Sequence, residues 1–86
     1  MNGRAHLAWN LRALRVARGL SQERLAVDTE IDRAYVGGIE RQTENPTVDL
    51  LDRLAEGLNV SIPELFKVPE PGAAPPLPMK GGRRKA

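Results

Sequence analysis

Residues 32–47 carry several side chains able to make directed polar contacts: Arg33, Tyr35, Arg41, Gln42, Thr43, Asn45 and Thr47. Covalent chemistry has far less to work with. An enzyme needs a nucleophile with a base, paired carboxylates or a metal cluster. Here there is one histidine, His6, there is no cysteine, and the acids are scattered along the chain. Without cysteine there is neither a disulfide framework nor a thiolate metal site, and zinc on a single histidine would need carboxylates. No enzymatic activity, metal or cofactor is therefore expected. What remains is noncovalent recognition. Gln22 follows Ser21 at the start of an apolar-periodic stretch. In a first helical turn, backbone N–H groups and an amide side chain can both bind a phosphate.

The run DRAYVGGIERQTENPT, residues 32–47, poses a physical question. Asp32 can cap a short helix, with Val36 and Ile39 inward and Arg33, Tyr35 and Arg41 outward. Yet Gly37 and Gly38 sit side by side inside it. Each costs a helix interior about 1 kcal/mol relative to alanine.

The surrounding elements are legible from spacing. Leu7, Leu11, Leu14 and Ala17 predict an amphipathic helix over about residues 6–18, ended by Gly19 in a left-handed conformation. Ser21 caps a second helix with Leu25 and Ala26 inward. A turn at 29–31 leads to the third helix, and residues 41–46 read as a loop. Thr47 caps a fourth helix whose inward face is Leu50, Leu51, Leu54, Ala55 and Leu58, with Asn59 as its left-handed stop. Ser61, Pro63 and Glu64 form a capping-box pattern that predicts a fifth helix over about residues 62–67. No strand pattern or internal repeat is present. The expected fold is all-α: five helices in a domain over 1–68, then a Pro/Gly-rich, basic, disordered tail over 69–86.

Charge and length narrow the partners. A chain of 86 residues is one small domain; such a domain buries only about 60–65% of its unfolded surface, so a partner subunit would help. No apolar run reaches the ~20 residues of a membrane span, so no membrane partner is expected, and no signal-type apolar core is seen at the N-terminus. The net charge of +2 hides an uneven distribution: +4 over residues 1–27, −3 over 28–44, −3 over 45–70 and +4 over 71–86. A nucleic-acid partner would have to meet one basic face or the basic tail.

Two short helices joined by a turn, then a loop and a covering helix, make a helix-turn-helix arrangement, the pair here spanning about residues 21–41. Residues 7–67 resemble the lambda repressor/Cro-like, or xenobiotic-response-element, family of bacterial and phage regulators. The resemblance is carried by Arg15, Ser21-Gln22, Leu25-Ala26, Ile39-Glu40-Arg41, Asn45-Pro46-Thr47 and the run Val60 to Leu65. Within that family, DRAYVGGIER resembles the reading helix of restriction–modification controller proteins. The resemblance implies a compact lambda-repressor-like, cytoplasmic, DNA-binding regulator. Gln22 would clamp a phosphate. Arg33, Ala34, Gly37 and Gly38 would face the major groove. Arg41, Gln42, Thr43 and Asn45 would lie beside the DNA backbone, and Thr47 would open the next helix against a phosphate. Arg15 and Glu40 would form a buried structural ion pair. Arginine can meet guanine O6 and N7 at once, and an alanine methyl can pack on a thymine methyl.

The chain also departs from the controller pattern. Hydroxyl residues expected at 34 and 37 are replaced by Ala34 and Gly37, and a basic residue expected at 44 is Glu44. Base reading is then expected to rest on Arg33, with Tyr35 adding a phosphate or groove-wall contact. The bare face of the third helix would allow close approach to double-stranded DNA and selection by shape. A homodimer on a two-half-site operator is expected, its interface formed by Leu58, Ile62, Leu65 and Phe66. No small-molecule effector is expected. The alternative is an antitoxin-like autoregulator that also binds a partner protein, for which the tail offers only Leu77 and Met79 as apolar anchors.

Overall fold

The computed structural model describes residues 2–74. Asn2 Oδ1 accepts the Ala5 N–H at 3.0 Å and starts α1, Gly3–Ala17. The helix begins before its apolar stripe because the cap, not the first leucine, sets its start. Leu7, Ala8 and Leu11 are buried, Leu14 is half-covered and Ala17 is exposed; the last buried position of α1 belongs to Arg15. Gly19, at φ 68°, turns the chain so that the Leu20 N–H reaches the Arg15 carbonyl at 3.0 Å.

Side-chain caps start the next three helices. Ser21 Oγ accepts from the Arg24 N–H and opens α2, Gln22–Thr29. Asp32 Oδ2 accepts from the Ala34 N–H and opens α3, Arg33–Glu40. Thr47 Oγ1 accepts from the Leu50 N–H and opens α4, Val48–Leu58. Asn59 ends α4 at φ 58°, as its type suggests; Glu30 ends α2 at φ 59° with nothing in its type to announce it.

The last element corrects the expectation of a fifth α-helix. Ile62–Phe66 is a 3-10 helix, so the described residues hold four α-helices and one 3-10 turn. Five residues containing a proline offer too few N–H groups for an i→i−4 ladder, and the Glu64 N–H instead meets the Ser61 carbonyl at 3.1 Å. The Glu64 carboxylate accepts from both the N–H and the hydroxyl of Ser61, which holds its pKa below the ordinary value.

α1 packs on α3 and the 3-10 turn, while α2 packs on α3 and α4. Leu11, Leu25, Val36, Leu54, Leu58 and Leu65 have no exposed surface. Leu58 and Leu65 therefore belong to the subunit's own core and are not available to a second copy, which corrects half of the expected dimer surface. Ile62 and Phe66 stay half-covered at the edge. α2 and α4 approach closely at Gly57, where an added Cβ would lie 2.5 Å from Thr29 Cγ2.

The residues just past the 3-10 turn lie beside α1. Trp9 and Asn10 on α1 line a cleft with Lys67, Val68, Pro69, Glu70 and Ala73, and Asn10 Nδ2 donates to the Lys67 carbonyl at 2.7 Å. The expected disordered tail lies outside the described residues from 75 onward. Among the described residues, no helix is long and apolar enough to cross a membrane and no cluster of His, Cys, Asp and Glu could hold a metal.

Candidate nucleic-acid interface

α3 is fixed at both ends. Asp32 caps its start. At its end the Glu40 side chain, with no exposed surface, points toward α1 and accepts from several donors. Arg15 Nε donates to Glu40 Oε2 at 2.7 Å and Arg15 Nη2 to Oε1 at 3.0 Å, a two-pronged contact. Arg12 Nε reaches Oε1 at 3.0 Å, and Gln22 Nε2 reaches it at 3.1 Å. Arg15 Nη1 also donates to the Leu20 carbonyl at 2.8 Å, so the same guanidinium fixes the α1–α2 turn. Burial pushes the Glu40 carboxyl up. The hydrogen bonds from Arg15, Arg12 and Gln22, with the Arg15 charge, outweigh that and hold its pKa below the ordinary value. The carboxylate thus ties α1, α2 and α3 together behind the outward face of α3.

Arg12 was not among the expected members. The available signal was its i,i+3 spacing from Arg15, which puts both guanidinium groups on one face of α1. Gln22, expected to clamp a phosphate, also joins this anchor: one amide hydrogen is committed to Glu40, so the amide orientation is set from inside the protein.

At about 100° per residue, the side of α3 opposite Val36 and Ile39 carries 34, 37, 38 and 41. Arg33, Ala34 and Arg41 are exposed there, while Tyr35 is half-buried and packs against the core. Gly37 and Gly38 are buried, which corrects the picture of a bare face. A Cβ on Gly37 would lie 3.0 Å from Arg41 Nη1 and 3.3 Å from Gln22 Oε1. A Cβ on Gly38 would lie 2.6 Å from Glu44 Cγ and 2.9 Å from its Oε2. The glycines are notches into which side chains from α2 and the following loop fold.

The loop is tied back to α3. Gln42 takes φ 67°, and both the Thr43 N–H, at 2.9 Å, and Thr43 Oγ1, at 3.1 Å, donate to the Gly38 carbonyl. Gln42, Thr43, Asn45 and Thr47 remain exposed. Asn45 also borders a cleft of about 410 Å³ with Asn2, Arg4, Leu51 and Phe66. The structure thus brings Gln22, Arg33, Ala34 and Arg41 onto one surface and adds Glu44 to it.

Residues 11–65 match the family described as helix-turn-helix. The chain belongs to this family. Among its relatives, Control protein C.SmaI of Serratia marcescens is 44% identical over 60 residues, 70% of this chain and 71% of that protein. The helix-turn-helix fold also superposes on the restriction–modification controller protein C.AhdI from Aeromonas hydrophila, with a TM-score of 0.71 and 43% identity, over 73% of this chain and 96% of that one. The tetramer of the controller protein C.Esp1396I in complex with its natural 35 base-pair operator matches with a TM-score of 0.67 and 31% identity, over 78% of this chain and 99% of that one. The lambda-repressor-like resemblance of the sequence and the helix-turn-helix membership agree.

Proposed function

We propose that this protein is a sequence-specific DNA-binding transcription regulator that docks α3 in the major groove and acts as a homodimer on a two-half-site operator. The observation that carries the reading is the exposure of Arg33 and Ala34 at the start of a helix anchored at both ends, by the Asp32 cap and by buried Glu40. A reading helix must be rigid, because base-edge contacts fail with small misplacements, and here the rigidity comes from charge-assisted hydrogen bonds to neighbouring helices. Arg33 supplies the two-pronged guanine contact and Ala34 a methyl contact. Gln22, Arg41, Gln42, Thr43, Asn45 and Thr47 supply phosphate contacts that fix register. C.Esp1396I, a relative of similar fold, binds its operator as a tetramer, which supports assembly of this chain on DNA. Two copies ~34 Å apart read enough base pairs to be selective. Of the four residues expected at the interface, half-covered Ile62 and Phe66 are left for the contact between copies. The reading implies a protein of the cytoplasm.

Selection of bound duplexes from random double-stranded DNA, followed by footprinting, tests this. A paired, symmetric motif with half-sites about one helical turn apart supports it. Recovery of sequences with no common motif would rule out specific recognition.

A further inference from the structure

Glu44 stands where a phosphate-binding loop would be expected to carry a positive charge, and it is neither fully exposed nor paired with a cation in any short contact of the described residues. Its side chain lies across α3 at Gly38. The notch is shaped for it: any side chain at 38 would meet Glu44 Cγ at 2.6 Å. The two hydrogen bonds from Thr43 to the Gly38 carbonyl fix the loop one residue before. Position 38 lies one turn beyond exposed Ala34 on the same outward side. The carboxylate is therefore carried onto the reading surface by a residue that lies outside the helix.

Resting on the DNA-binding reading above, we infer that Glu44 is a specificity-determining residue: its carboxylate, seated in the Gly38 notch, accepts a hydrogen bond from a base-edge amino group in the major groove. Only cytosine N4 and adenine N6 present such donors there. A carboxylate has no donor, so guanine and thymine oxygens at that position are repelled. A loop carboxylate directed at phosphates would only weaken binding, equally for every sequence. One seated against the reading helix discriminates. The absent hydroxyls at Ala34 and Gly37 are then replaced by an acceptor supplied from residue 44.

The probe is the duplex recovered by selection, with each base pair of one half-site substituted in turn. Affinities are measured for the full chain and for Glu44→Ala, Glu44→Gln and Gly38→Ala, each checked to be fully folded at the assay temperature. The full chain should prefer cytosine or adenine at one position by about fivefold or more. Glu44→Ala should flatten that position alone, and Gly38→Ala, which evicts the side chain from its notch, should do the same. Glu44→Gln should recover tolerance of bases that offer an acceptor. A uniform rise in affinity of Glu44→Ala across all duplexes, or an unchanged base profile, would overturn the inference and leave the DNA-binding reading intact. Absence of any motif for the full chain would overturn both.

Discussion

Removing the Glu40 carboxylate leaves the Arg15 guanidinium buried with only the Leu20 carbonyl to bind. Breaking a buried pair in this way costs about 3–5 kcal/mol, a large part of what a small domain has. Glu40→Ala should lower the urea midpoint accordingly, and Arg12→Ala should lower it far less, because Arg12 is one-third exposed. The same residue sets an acid limit. Folded Glu40 titrates below its ordinary 4.5, so between those two values the unfolded chain binds the extra proton. Its contribution is complete above about pH 4.5 and is lost as pH falls through the folded pKa. Exposed Glu64 is shifted the same way and adds to the slope. Glu40→Gln should reduce the pH dependence of unfolding free energy below pH 4.5, while Glu64→Gln leaves the Glu40 part in place; equal slopes for Glu40→Gln and the parent would count against this assignment.

Within the helices, the glycines of α3 and α4 make opposite predictions from the same chemistry. An alanine at 37 meets only the far end of Arg41 and the Gln22 amide oxygen. Those groups can move, so Gly37→Ala should gain up to about 1 kcal/mol of helix propensity, read as a higher melting temperature. Because it displaces Arg41 and Gln22, it should also weaken operator binding. An alanine at 57 meets Thr29 Cγ2 at 2.5 Å, and buried Thr29 is held by a hydrogen bond to the Leu25 carbonyl. Overpacking there should outweigh propensity, and Gly57→Ala should lose about 1–3 kcal/mol in calorimetry or urea unfolding. A Gly57→Ala variant more stable than its parent would mean that α2 and α4 can part without cost. Ser21, Asp32, Thr47 and Asn59 could all be read as helix boundaries, because a cap acts through residues next to it in sequence; Asn2 escaped that reading, and α1 starts before its apolar stripe. Glu30 and Gln42 could not: both take left-handed conformations that their residue types do not announce.

For the molecule as a whole, assembly is the property to test. Leu58 and Leu65 fill the core, so substituting either should unfold the subunit, whereas Phe66→Ser or Ile62→Ser should leave it folded and shift sedimentation toward monomer. Operator affinity of either variant should then fall, because each half-site is read alone. The outline of this protein, with its helices, their caps, the inward leucines and the Arg15–Glu40 pairing, followed from residue type and spacing along with the family's pattern. The helices, caps and stripes depend on neighbours one or two turns away, which periodicity records; the Arg15–Glu40 pair, 25 residues apart, was implied only by the family resemblance. The outward face of α3 did not follow in the same way. By type and spacing Gly37 and Gly38 are bare surface, but Gln22, Arg41 and Glu44 fold over them. Likewise, Leu58 and Leu65 are apolar enough to suit a dimer interface, but the 3-10 turn closes on α1 and α4 and takes both into the subunit's own core. A stripe states that a side chain seeks cover. Which chain supplies the cover, its own or a partner's, is decided only by the packing of elements distant in sequence.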